Sequence, residues 1–129
     1  MEATIKLTKT MLDKSIIDAN KTVQQFLDND FGMSYDDPFF TIEHVNPDTG
    51  KIERAAFFVI GEYADGTEAN VKFYRSAKRG DKRISIQKLK QYAEAGDEVI
   101  LTSNVESVQD GISYYDRIHI NIVRQTDAA

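Results

Sequence analysis

A chain of 129 residues, 41% hydrophobic and 29% charged, has the size and composition of one folding domain and excludes an intrinsically disordered segment. The absence of Cys excludes disulfides, thiolate nucleophiles and Cys-based zinc sites, and fits a reducing compartment. The net charge of −5 excludes a uniformly basic DNA coater, and no apolar run approaches the roughly 18 residues that a membrane helix needs.

In chain order, the alternation of residues 4–8 predicts a first strand with Ile5 and Leu7 on one side. Leu12, Ile16, Ala19, Val23 and Phe26 then recur at steps of three and four, the apolar stripe of a single helix over about 10–29 with Thr10 as its N-cap. Residues 31–38 read as a loop closed by Pro38, and residues 39–45 as a strand. Asn46-Pro47-Asp48-Thr49-Gly50 is turn chemistry, because Pro fixes φ and Gly tolerates positive φ. A long central strand, apolar on both faces, is expected over 52–63. Asp65-Gly66 marks a hairpin into a strand over 67–75, with Ala69, Val71 and Phe73 on one face. A basic loop follows, then a short strand at 84–86 and a short helix at 87–95 capped by Gly96. Strands over 97–102 and 112–123 complete the chain. They are joined at an Asp110-Gly111 turn, with Tyr114 or Tyr115, Ile118, Ile120 and Ile122 inward.

The expected architecture is therefore α+β and mainly β, in the order β-α-β-β-β-β-α-β-β, one domain over 1–125 with a frayed tail at 126–129. Seven short strands in a small domain favour an open or closed barrel, which avoids exposed edges. The opening residues Met1-Glu2-Ala3-Thr4-Ile5-Lys6 lack the basic-then-apolar pattern of a signal peptide, so a cytoplasmic protein is expected.

Charge is unevenly placed. Residues 72–90 hold eight of the 16 basic residues and one of the 21 acidic ones, a net +7 within a remainder of net −12. Repulsion inside such a segment opposes folding, which points to a polyanionic partner. The acidic background would repel that partner from the other faces.

The succession Ala69-Asn70-Val71-Lys72-Phe73-Tyr74-Arg75-Ser76, then Arg79-Gly80-Asp81, Arg83-Ile84-Ser85-Ile86, and a helix ending in Gly96-Asp97 resembles the DNA-binding pseudobarrel superfamily. That superfamily includes the effector-DNA-binding N-terminal domain of EcoRII-type restriction endonucleases and the plant B3 domains. The resemblance implies a seven-stranded pseudobarrel with two helices, related to restriction-modification proteins and binding double-stranded DNA. It implies that the loop 75–83 lies along a DNA groove. Arg75, Arg79 and Arg83 would make bidentate contacts, Lys78 and Lys82 would contact phosphates, and Gly80 would let the backbone come close. Tyr74 would pack on a sugar or a base, and Lys72, Lys88 and Lys90 would extend the field. The chain departs from B3-like domains in carrying the 10–29 helix where they carry a second arm, leaving Lys6 and Lys9 as its remnant. It also has Ser85 where an aromatic is often found.

Three other readings stand beside this one. The basic loop could be a solvated turn paired with the protein's own acids, or a single-stranded nucleic-acid platform with few aromatics. Alternatively, Phe31, Met33, Tyr35, Phe39 and Phe40, interleaved with Asp28, Asp30, Asp36 and Asp37, could form a protein-interaction surface or an inhibitor of a nucleic-acid-binding protein.

No enzyme is expected. Counted from Asp28 as a calcium loop, the sixth and twelfth positions fail, since Gly32 is fifth and Phe39 twelfth. No Asp-x-Lys or Glu-x-Lys of a restriction-type nuclease occurs, His44 and His119 are isolated, and no Ser sits in a nucleophile elbow. Neither metal nor small-molecule cofactor is expected.

Overall fold

The computed structural model describes residues 2–104, 107–109, 112–114 and 117–125. In chain order its elements are strand β1 (Glu2–Lys6), helix α1 (Lys9–Lys14), strand β2 (Ile17–Asp18), helix α2 (Lys21–Phe31) and a 3-10 turn (Pro38–Thr41). There follow β3 (Glu43–Val45), β4 (Ile52–Arg54), β5 (Phe57–Tyr63), β6 (Glu68–Arg75) and β7 (Lys82–Ile86). Helix α3 (Leu89–Tyr92), β8 (Glu98–Asn104), β9 (Ser107–Gln109), β10 (Ile112–Tyr114) and β11 (Arg117–Val123) complete the order. Among the described residues the protein is mainly β, with three α-helices and a seven-stranded sheet curled into a half-barrel.

The sheet order is β1-β8-β11-β5-β6-β7-β2, and β3–β4 and β9–β10 form separate hairpins. All pairs in the sheet are antiparallel except β11 with β5. Phe26, Phe40, Phe73, Ile84, Leu101 and Ile118 are among the buried side chains that fill the curl. The predicted face of β6 is the one buried, with Ala69, Val71 and Phe73 inward.

Four expectations need correction. The single helix at 10–29 is two helices. Thr8, not Thr10, caps α1, its side chain accepting the Met11 N–H. The chain leaves the helix at Ser15 in the left-handed conformation, φ 54°, and pairs Ile17-Asp18 with β7. Asn20 then caps α2 by accepting the Val23 N–H. The apolar stripe is nonetheless buried at Ala19, Val23 and Phe26, so strand pairing and helical periodicity satisfied the same positions.

The second correction is that residues 38–41 form a 3-10 turn ahead of the short β3. It starts where Asp37 accepts the Phe39 N–H and Pro38 supplies a fixed φ. Third, the long strand at 52–63 is interrupted at Ala55-Ala56. β4 turns back to pair with β3, and β5 enters the centre of the sheet. One face of β5 meets water, with Phe58 60% and Ile60 44% exposed. Fourth, the two-helix order with seven strands is replaced by the order above, with a seven-stranded sheet that includes the unforeseen β2. The turn expected at Asp110-Gly111, Tyr115 and the tail at 126–129 lie outside the described residues.

The two edges of the sheet, β1 and β2, are tied together by side chains. Beyond β2, the Ala19 N–H still donates to the Lys82 carbonyl at 2.9 Å. Thr22 Oγ1 then accepts the Thr4 N–H on β1 at 3.0 Å, and the Asn20 side-chain amide donates to the Thr4 carbonyl at 2.9 Å. The outward backbone groups of Thr4, midway along the β1 edge, are thereby satisfied without another strand.

Candidate nucleic-acid interface

The β6–β7 connection is a tight hairpin. Arg75 pairs with Lys82, and the Ser76 N–H donates to the Asp81 carbonyl at 2.9 Å. The Gly80 N–H donates to the Ser76 carbonyl and the Asp81 N–H to Ser76 Oγ, both at 2.9 Å. Gly80 has φ +71°, where a side chain would be strained, and it is buried. The β3–β4 hairpin repeats the arrangement. The Gly50 N–H donates to the Asn46 carbonyl and the Asn46 N–H to the Lys51 carbonyl, each at 2.8 Å, with Gly50 at φ +71°. Two hairpins of one loop geometry thus stand beside each other.

Strand alternation divides the basic residues between two faces. Arg75 and Lys82 share the parity of the buried Phe73 and Ile84, and turn toward the inner rim. There Arg75 Nε donates to the Gly80 carbonyl at 2.6 Å and Nη1 to the Tyr35 carbonyl at 3.4 Å. Asp36 lies 3.8 Å from Arg75 Nη1 and 3.5 Å from Lys82 Nζ. Arg75 therefore braces the loop from below.

Lys72, Tyr74 and Arg83 share the outer face with Phe58, the cross-strand partner of Lys72. Lys72 Nζ stands 4.3 Å from the Tyr74 ring centroid. Burial pushes the Tyr74 phenol above its ordinary pKa, against the opposing pull of the Arg83 guanidinium. Arg83 Nη2 donates to Asp81 at 3.2 Å, and its Nε lies 3.7 Å from Asp18. At the hairpin tip, Lys78 and Arg79 are exposed and make no ion pair among the described residues. Lys88 is at the opposite end of β6, donating to the Glu68 carbonyl at 3.4 Å, roughly 20 Å from the loop by strand rise.

The predicted set is therefore not one surface. Lys72, Tyr74 and Arg83 are brought together on the outer face, Lys78 and Arg79 form the tip, Arg75, Gly80 and Lys82 lie inward, and Lys88 stands apart. A cleft of about 270 Å³ opens between the two hairpins, lined by Arg54, Phe58, Lys72, Tyr74, Arg75 and Arg83, among others. Arg54 escaped the sequence reading because it lies outside the charged run. Its signal was a basic residue on the strand just after the Asn46–Gly50 turn, and only tertiary packing carries it to Gly80.

The aromatic residues at 31–40 turn inward. Tyr35 and Phe40 are buried and stacked with ring centroids 5.5 Å apart, and Phe31 packs between Phe26 and Phe57. The acids Asp28 and Asp36 remain exposed without them. Among the described residues no cluster of three or more His, Asp or Glu could hold a metal ion. Nor, among the described residues, is any helix long and apolar enough to cross a membrane. Neither a family model nor a curated protein nor a solved structure matches the chain.

Proposed function

We propose that this chain is a non-enzymatic double-stranded DNA-binding domain of pseudobarrel type. In this reading the cleft between the β3–β4 and β6–β7 hairpins receives the sugar–phosphate backbone. The observation that carries it is that Arg54 and Arg83, from two different strands, line one cleft, with Arg75 bracing the loop behind them and the unpaired Lys78 and Arg79 at the neighbouring hairpin tip. Arg forks match phosphate oxygens bidentately, and in this reading Lys78 and Arg79 would reach the next phosphates as the duplex crosses the loop. Lys72 and Tyr74 would line the wall against a sugar.

Two features support a duplex over a single strand. Phe58 is an exposed ring in the cleft, but Tyr74 is half-buried under Lys72, so the cleft offers one ring rather than the succession of stacking surfaces a single strand uses. The acids elsewhere oppose other binding faces.

Charge reversal at the tip, Lys78→Glu with Arg79→Glu, tests the reading. Both side chains are exposed and unpaired, so the melting temperature should hold, while affinity for a labelled duplex of about 20 base pairs should fall at least about tenfold. Unchanged affinity would remove the tip from the interface.

A further inference from the structure

Arg54 is a cation without a hydrogen-bond acceptor or counter-charge among the described residues. It is half-buried on β4, its Nε has no contact with water and no acceptor, and no carboxylate pairs with it. Its Nη1 lies 3.3 Å from the point where a β-carbon on Gly80 would stand, and Arg75 Nη2 lies 3.2 Å from the same point. Two positive groups from different strands thus pack closely against the Gly80 backbone. Arg83 also lines this cleft, and its Nε is buried without a hydrogen-bond acceptor, the Asp18 carboxylate being 3.7 Å away. Buried donors without acceptors are rare, and a half-buried cation without a counter-charge is costly.

We propose that the cleft between the two hairpins is a seat for a single phosphate group, held by the Arg54 and Arg83 guanidiniums and flanked by Arg75 and Lys72. The donors come from different strands, so they can approach one anion from different sides, which suits a tetrahedral anion with several acceptor oxygens better than a planar carboxylate. Gly80 supports the seat, since a side chain there would press on the Arg54 and Arg75 guanidiniums and displace them. The source of the phosphate rests on the nucleic-acid reading, being either an internal phosphodiester or a terminal phosphomonoester.

The test is titration of ¹⁵N-labelled protein with inorganic phosphate against chloride at constant ionic strength, reading the arginine Nε–Hε resonances. Saturable shifts at Arg54 and Arg83 are expected, with none from acetate. Arg54→Gln should weaken phosphate binding by roughly tenfold or more, and Arg54→Lys by less. Arg54→Gln should melt no lower than the parent, because it removes an uncompensated charge, so lost binding is not lost folding. Duplexes with and without a 5′-phosphate then separate the sources. A preference for the phosphorylated end assigns the monoester, and equal binding that weakens in Arg54→Gln assigns the diester. Absence of saturable shifts, equal phosphate affinity in Arg54→Gln, or equal saturation by acetate would overturn the seat. If duplex binding survives that result, only the seat fails. If phosphate binds as expected and no duplex does, the seat stands and the nucleic-acid reading fails.

Discussion

Asp97 shows how one residue can carry the end of the chain. It is a buried acid, 4% exposed, accepting the Glu94 N–H at 2.8 Å and the Gln125 N–H at 2.9 Å, with Arg124 Nη1 at 3.7 Å. The hydrogen bond from Gln125, then that from Glu94, holds its carboxyl below the ordinary carboxylate range, outweighing burial, with Arg124 contributing less. A depressed folded-state pKa contributes stability above the unfolded pKa of about 4 and loses it as pH falls through the folded value. Asp97→Asn should therefore lower the melting temperature at pH 7, and the gap from the parent should close on acidification below about pH 4. A gap that stayed constant from pH 7 to pH 2 would refute this role. The sequence reads the Gly96-Asp97 step as the end of a helix over 87–95, but α3 ends at Tyr92 with Ala93 as its cap, and the Gly96 N–H instead donates to the Leu7 carbonyl. The function of Asp97 as a clasp was not legible, because Gln125 reaches it only through the pairing of β8 with β11.

At the scale of elements, what was legible followed local periodicity and turn chemistry. The inward face of β6 and the glycine turns at 50, 66 and 80 needed only the residues in place. The break at Ser15 was not legible, since Ile17 and Ala19 fit a helical stripe as well as they fit a strand beside β7. Its local traces were the β-branched pair Ile16-Ile17 and Asn20 as a cap. The segment after it clasps the β1 edge, and the break itself answers to the pairing with β7, a strand far away in sequence. Thr22→Val keeps the shape but removes the acceptor of the Thr4 N–H, and should cost about 1–2 kcal/mol in a urea titration. Thr22→Ser should restore the stability, whereas an unchanged midpoint for Thr22→Val would show that the clasp contributes nothing.

For the whole molecule, the contrast between a net +7 segment and its acidic remainder was readable from the sequence, but its geometry was not. Folding directs Arg75 and Lys82 to Asp36 and brings Arg83 near Asp18 and Asp81. The field that remains outward comes from Lys72, Lys78, Arg79 and Arg83, joined by Arg54 from outside the run. The cationic surface is thus narrower than the charge count implies, and it is shared between two hairpins. The most direct measurement is fluorescence anisotropy of the intact chain with labelled duplex and single-stranded oligonucleotides across a salt series. These cations predict tighter binding to the duplex, with a slope of log affinity against log salt of roughly −3 to −5, at about −0.9 for each neutralised phosphate. No binding to the duplex near 50 mM salt, or a slope near zero, would contradict the account.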